Sequence, residues 1–267
     1  MVLFVLKRYL ITLNKNLLII VPLFNESKRG ATYVRELKNS IFVDNVNIDY
    51  LIIDDASTDD TFKLLNELQS ESPSDFKVIK NNINLGHGNT VLKGYKYSVN
   101  NNYNFTAQID GDNNVEPESV NKLINYSIKE NLDFTLGKRI IRPDPLIRKI
   151  ITFILDLNLR VRYKVKFSDT NAGIRVYSKS FLENIELDKL INLKIPNALI
   201  TVFAFYLNVQ SSSYPVIMRN NIREQRQGEQ WGSGIGLQSK IKLIKGGVSC
   251  FIEVNTKFKK LLNNNKK

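Results

Sequence analysis

The chain has 267 residues, 43% of them hydrophobic and 24% charged, which is enough apolar material for a sizeable core in one globular domain. Thirty-eight Lys and Arg against 26 Asp and Glu leave a formal charge of +12, favouring an anionic partner such as a phosphate ligand, an acidic membrane surface or nucleic acid. A single cysteine, Cys250, excludes an internal disulfide framework and a cysteine-cluster metal site, and suits a reducing cytoplasm.

Residues 1–15 read as an N-terminal extension. Their apolar run is interrupted by Lys7, Arg8 and Lys15 before it reaches the roughly 20 residues of a membrane span, and the charges follow the run where a signal peptide would put them first. Residues 16–24 form a nearly unbroken aliphatic run without alternation, the pattern of a strand buried on both faces of a parallel sheet. A helix is expected over 29–41 and a strand over 50–53, ending in the polar cluster Asp54 to Thr61. The pattern repeats with a helix over 62–68, a strand over 76–79, a turn at Gly86-His87-Gly88, a helix over 90–98 and a strand over 105–109. Such alternation predicts an α/β fold with a mostly parallel sheet and helices on both faces. In that architecture ligands sit outside the carboxyl ends of the strands, so the polar clusters after 24, 53 and 109 should converge.

Further along, 133–136 reads as a strand, 146–159 as an apolar helix, and 195–209 as a buried helix too short to span a bilayer. Residues 160–167 alternate cation and apolar side chain, which in an extended segment puts Arg160, Arg162, Lys164 and Lys166 on one face. That face suits either an anionic bilayer or a charged edge that resists strand pairing. The region 231–267 reads as an amphipathic, basic tail, with the Lys- and Asn-rich stretch 257–267 expected to fray.

Asp110 and Asp112 flank Gly111 at the end of an apolar strand, so two carboxylates can face one point. Hard oxygen donors in a sparse set suit Mg2+ or Mn2+ on a diphosphate; a solvated acidic turn is the plain alternative. A calcium loop is excluded, because Val115 stands where its turn glycine is required. The glycines around His87 do not make a dinucleotide fingerprint, since Val91 breaks G-x-G-x-x-G. His87 is the only histidine and reads as a loop residue.

The ordered set of motifs is more specific than any one of them. Val21-Pro22-Leu23-Phe24-Asn25-Glu26, Asp54-Asp55-Ala56-Ser57, Asn84-Leu85-Gly86-His87-Gly88-Asn89 and Asp110-Gly111-Asp112 resemble the family-2 glycosyltransferases in order and spacing. The likeness continues through Leu136-Gly137-Lys138-Arg139, Ser168-Asp169-Thr170-Asn171-Ala172-Gly173-Ile174-Arg175, Tyr214-Pro215-Val216 and Arg226-Gln227-Gly228-Glu229, so it covers residues 16–230, and is strongest to the dolichyl- or polyprenyl-phosphate mannose synthase branch.

The resemblance implies a GT-A (Rossmann-like) domain over 16–230 that transfers a sugar, with inversion, from a nucleoside-diphosphate sugar to a polyprenyl phosphate. A saccharide hydroxyl in surface-glycan synthesis is the other acceptor class, and a basic nucleic-acid-binding protein is the rival outside the enzymes. By the same resemblance Pro22, Phe24, Glu26, Ile53 and Asp55 hold the nucleoside, while Asp110, Gly111 and Asp112 meet the diphosphate. Asn114 joins Asp110 and Asp112 as a metal ligand, and Arg139, Arg148 and Arg226 bind phosphate. Asp169, on the acceptor side, is the general base for a hydroxyl acceptor, or a positioning group for a phosphate, which is already anionic at neutral pH. The branch's Arg-x-x-Gly-x-Ser-Lys pattern is altered here, with Gln225 and Trp231 at the Arg and Lys positions. The implied setting is the cytoplasm, with peripheral contact at the inner membrane face.

Overall fold

The computed structural model describes residues 15–140, 145–219 and 237–264. Seven strands form one sheet in the order β3-β2-β1-β4-β6-β5-β7. They are β1 (Lys15–Leu23), β2 (Val46–Asp54), β3 (Phe76–Lys80), β4 (Phe105–Ile109), β5 (Phe134–Ile140), β6 (Ile174–Ser178) and β7 (Ser211–Ile217). All pairings are parallel except those of β6, which runs antiparallel to both β4 and β5.

The aliphatic run of β1 is buried on both faces, as its lack of alternation implies. Leu17, Ile19 and Val21 point into one core layer with helices α1 (Gly30–Ser40), α2 (Thr61–Glu71) and α4 (Pro117–Lys129). Leu18 and Ile20 point into the other, built with α3 (His87–Asn100), α6 (Lys179–Glu183), α7 (Pro196–Tyr206) and the C-terminal helices. Between the layers β1 pairs with β2 on one side and β4 on the other, so the loops after Leu23, Asp54 and Ile109 emerge side by side. The expected convergence of the three polar clusters is thereby met.

Two expectations fail. Residues 160–167 are not an extended basic strand: helix α5 (Leu146–Tyr163) continues through Arg160 and Arg162 and stops at Lys164, whose left-handed φ of 56° caps it. Alternation over a few residues satisfies a period of two, but the longer apolar pattern from Leu146 has the helical period, and it prevails. Nor does the tail beyond Lys257 fray as a whole. After α8 (Leu237–Glu253) the chain makes one π-helical segment (Val254–Phe258) and ends in α9 (Lys259–Asn264). Val254, Phe258 and Leu262, spaced at i, i+4 and i+8, are buried in the same core as α3 and α7. Of the expected 1–15 extension, residues 1–14 lie outside the described residues, as does Arg226, and Lys15 is the first residue of β1.

Because Phe258 is fully buried, Phe258→Ala should lower unfolding free energy by about 3–5 kcal/mol, the usual range for emptying an aromatic core position. Urea unfolding of the purified protein measures this; a frayed tail would give a change below about 0.5 kcal/mol.

Candidate functional site

The loops after β1 and β2 are laced together by polar groups. Ser57 Oγ accepts from the Asn25 N–H (2.9 Å), Thr61 Oγ1 from the Glu26 N–H (2.8 Å), and Asn25 Oδ1 from the Thr58 N–H (2.9 Å). Asp55 turns back on its own scaffold. Its Oδ1 accepts from Asn81 Nδ2 (2.9 Å) and the Leu85 N–H (2.8 Å), and its Oδ2 from the Gly86 N–H (2.9 Å). The polar run at 84–86 is thus pinned to the end of β2, and α3 starts from it.

Asp110 leaves β4 beside Gly173, with its N–H on the Gly173 carbonyl at 3.1 Å. A Cβ on Gly173 would lie 1.8 Å from Asp110 Oδ2, so only glycine leaves room for this carboxylate. The other oxygen, Oδ1, meets His87 Nε2 at 2.8 Å and Gln108 Nε2 at 3.0 Å. Burial in the recess works against the Asp110 charge, but the imidazole, Gln108 and Arg139 outweigh it and hold the carboxyl below its usual range. Burial likewise works against the His87 cation, yet Asp110 prevails and raises the imidazole above its ordinary value. His87 is therefore the first residue of α3 and a partner of the acidic motif, a role that no local pattern at Gly86-His87-Gly88 reveals.

Two residues on, the Asp112 carboxylate accepts from Asn114, through its N–H (3.3 Å) and its amide. Asn114 is itself buried, and the Gly111 N–H donates to the Pro22 carbonyl at 3.2 Å. Behind this turn Arg219 reaches Asn113 and Glu36 from the end of β7, fastening the loop to α1.

On the opposite wall Arg139, at the end of β5, clasps Asp169 in a two-pronged ion pair, Nε to Oδ2 at 2.7 Å and Nη2 to Oδ1 at 2.5 Å. Asp169 adopts φ 61°, a left-handed conformation that costs a non-glycine residue about 1–3 kcal/mol unless its surroundings fix it. The fixing group is Asp156 of α5. Its carboxylate accepts from the Asp169 N–H (2.7 Å), the Thr170 N–H (3.1 Å) and the Thr170 hydroxyl (2.7 Å). Burial raises the Asp156 carboxyl despite these three donors.

Asp55, His87, Asp110, Asp112, Arg139 and Asp169 open onto one cavity of about 340 Å³, while Asn114, Gln108 and Asp156 support them from behind its wall. Pro22, Phe24, Glu26 and Asp55 line one end, and Asp110, Asp112, Arg139 and Asp169 the middle. Arg148 of α5 and Lys194 stand beyond them, among Ile151, Leu155, Leu243 and Cys250. The apolar wall and Lys194 went unseen in the sequence, because α5 and α8 meet only in the fold. Burial pushes the Cys250 thiol up to about 12, which leaves it an apolar wall group and no nucleophile. Ile53 requires correction. Its side chain is fully buried between the sheet and α3 and does not line the cavity, because β2 is covered on that face up to Asp54. Among the described residues no cluster of three or more His, Cys, Asp or Glu surrounds a point where a metal could sit. What the site offers is the hard-oxygen pair Asp110 and Asp112, with Asn114 beside them.

Comparison with known proteins places this arrangement. The model of Glycosyl transferase family 2 matches residues 18–185. A UDP-N-acetylglucosamine–dolichyl-phosphate N-acetylglucosaminyltransferase of Methanococcus voltae is 28% identical over 193 residues, covering 64% of this chain and 72% of that protein. A polyprenol monophosphomannose synthase of Mycolicibacterium smegmatis is 25% identical over 175 residues, 64% of each chain. Among solved structures, glucosyl-3-phosphoglycerate synthase from Mycobacterium tuberculosis with UDP superposes with a TM-score of 0.60 at 15% identity, over 88% of this chain and 80% of that one. The sheet and its flanking helices are those of the GT-A glycosyltransferases. With the family model spanning β1 to β6, the acidic turn and the Asp169 loop alike, the chain belongs to glycosyltransferase family 2 and is a glycosyltransferase.

Proposed function

We propose that this enzyme moves a sugar from a nucleoside-diphosphate sugar to a polyprenyl phosphate, inverting the anomeric centre. One observation carries the reading: a single cavity joins the loops of β1, β2 and β4 to a basic and apolar end formed by Arg148, Lys194, Ile151, Leu155 and Leu243. A nucleotide sugar suits the polar end, and a phosphate on an isoprenoid chain suits the other. The names of the relatives from Methanococcus and Mycolicibacterium point to the same acceptor class.

In this reading Pro22, Phe24 and Glu26 enclose the nucleoside, and Asp55 acts by fixing the 84–86 loop around it. The acceptor phosphate oxygen attacks the anomeric carbon from the side away from the diphosphate. The bond from that carbon to the diphosphate oxygen breaks, and nucleoside diphosphate leaves with the electron pair. No proton has to be removed, because a phosphate monoester is anionic at neutral pH. Arg139, held by Asp169, and Arg148 supply fixed positive charge on the phosphate side. Asp110, Asp112 and Asn114 fit a Mg2+ or Mn2+ ion, since such ions take one or two carboxylates and complete their shell from phosphates and water. When bound, the cation would neutralise the departing diphosphate. An acceptor of this kind resides in a membrane, which puts the enzyme at the inner face as a peripheral, cytoplasmic protein. Transfer to a saccharide hydroxyl is the second reading, and Asp169 would then be the base.

Asp112→Ala should abolish transfer and also the manganese-dependent rise in melting temperature produced by the matching nucleoside diphosphate, with the protein still folded and the ligand-free stability lowered by no more than about 1–3 kcal/mol for the lost Asn114 contacts. A ligand at about 100 times its dissociation constant adds near 2.7 kcal/mol, so thermal shift with GDP and UDP resolves the effect and identifies the nucleotide. A folded Asp112→Ala protein with full activity defeats the assignment.

Asp169→Asn separates the acceptor classes. The amide oxygen still accepts from Arg139 but takes no proton, so transfer to polyprenyl phosphate should fall by less than about tenfold. That is below the roughly 10² to 10⁴ that a missing base costs. Wild-type transfer to a saccharide but not to polyprenyl phosphate, with a drop of about a hundredfold or more in the variant, would establish the second reading instead.

A further inference from the structure

The segment from Ile191 to Ile195, just before α7, is gripped from two sides. Toward α3, the Asn192 N–H donates to Asn89 Oδ1 (2.9 Å) and Asn89 Nδ2 donates to Asn192 Oδ1 (3.2 Å). Gly88 packs so closely that a Cβ there would stand 3.1 Å from the Leu193 carbonyl oxygen and from Pro196 Cδ. Toward α8, one carboxylate oxygen of Glu253 accepts from two consecutive backbone groups, the Lys194 N–H (2.9 Å) and the Ile195 N–H (3.3 Å). These are the last two N–H groups before Pro196, which opens α7 and has none, so the carboxylate also faces the positive end of that helix. One turn earlier on α8, the Ser249 hydroxyl accepts from the Lys194 ammonium.

Glu253 is 4% exposed, and a carboxylate withdrawn from water is costly unless donors surround it. Its donors hold Lys194 by the main chain, and Ser249 holds the same residue by the side chain. A hydroxyl does not neutralise an ammonium, and among the described residues Lys194 Nζ makes no ion pair. The part of the cavity lining supplied by α5, α8 and the 194–196 segment carries Arg148 and Lys194 as its charged groups and, among the described residues, no carboxylate. Two cations thus line one apolar recess, an arrangement that favours an anion, and a phosphate above all, since its oxygens accept from several charged donors at once. Lys194 and Glu253 both lie beyond residues 18–185, so the family match assigns neither of them a role.

We infer that Lys194 is a phosphate-binding residue of the cavity and that Glu253, from the C-terminal helix α8, is the positioning residue that sets it there. The identity of the molecule carrying the phosphate rests on the function proposed above, in which the acceptor brings a monoester and the donor a diphosphate. The apolar wall of Ile151, Leu155 and Leu243 beside Lys194 fits the prenyl monoester. The clasp of Glu253 on the 194–195 backbone stands whichever molecule it is.

The test is isothermal titration of the full chain with farnesyl phosphate and with farnesol, and separately with UDP and GDP in the presence of manganese. K194Q should weaken farnesyl phosphate at least about tenfold and leave farnesol and the nucleotides within about twofold, because a charge-assisted contact is lost and the apolar wall is not. E253A should weaken farnesyl phosphate at least about fivefold with farnesol unchanged, whereas E253Q, whose amide oxygen still accepts both N–H groups, should stay within about twofold of wild type. A general loosening of the fold would weaken farnesol as well, so the ratio of the two ligands separates positioning from mere support. Loss of nucleotide affinity in K194Q, with farnesyl phosphate unchanged, would assign the lysine to the donor's diphosphate. Unchanged affinity of K194Q for farnesyl phosphate and nucleotides alike overturns the inference. A folded E253A that binds farnesyl phosphate like the wild type, or an E253Q as weak as E253A, overturns the positioning role. Transfer to a saccharide alone, with farnesyl phosphate still dependent on Lys194, would defeat only the acceptor reading. Transfer to polyprenyl phosphate, with K194Q binding every ligand as tightly as wild type, would defeat only this inference.

Discussion

A guanidinium with no access to solvent organises the wall of the cavity that carries Asp169. Arg175 is fully buried in β6, and its nitrogens donate to the carbonyls of Ala172 (2.6 Å), Asn197 (2.8 Å) and Thr170, and to the Thr201 hydroxyl (3.0 Å). Burying an unpaired charge would be prohibitive, so the surrounding oxygens must stay where they are. Two of the carbonyls belong to the 170–172 turn that presents Asp169, and the third to the first turn of α7. The turn, the strand and the helix cannot shift independently without stranding the cation.

The same neighbourhood connects to the acidic turn. The Tyr95 hydroxyl of α3 lies within hydrogen-bonding reach of Gln108, Tyr177 and Asn197, and Gln108 in turn donates to Asp110. Asp110 sits over Gly173, the residue that separates the Asp169 turn from β6. Polar groups sealed from water strengthen one another and become costly to break. Asp110 and Asp169 thus belong to one rigid assembly. Group transfer gains from such rigidity, because reacting groups have to be held in register.

The parts legible in the sequence are those where chemistry is local. The aliphatic runs of β1, β2 and β4, each ending in acids, specify strands and place their loops together with no knowledge of the rest. The motif at Ser168 to Arg175 could be recognised, but not the ion pair between Asp169 and Arg139, which joins residues 30 positions apart. His87 stood among glycines that suggest a turn, and its partner Asp110 lies 23 residues away on another element. The resemblance pairs Ile53 with Asp55, but Ile53 still belongs to β2 and is packed in the core against α3, whereas Asp55 lies just past the strand, where its carboxylate turns to the 84–86 loop. At 160–167 the alternation was real but short, and a helix already under way outlasted it.

Helix α5 joins what the sequence shows separately. Arg148 faces the cavity, Asp156 holds the Asp169 turn in its left-handed conformation, and Phe153 and Leu157 face outward on the same helix. These groups share one helix, so its placement fixes all of them at once. The packing of Ile151 against Gly247 ties α8 to that placement, since a close-packed contact leaves little room for either helix to shift alone. The outward face of α5 and the Asp169 turn are thereby two sides of one packed unit, although the residues that build it are scattered from position 139 to position 258.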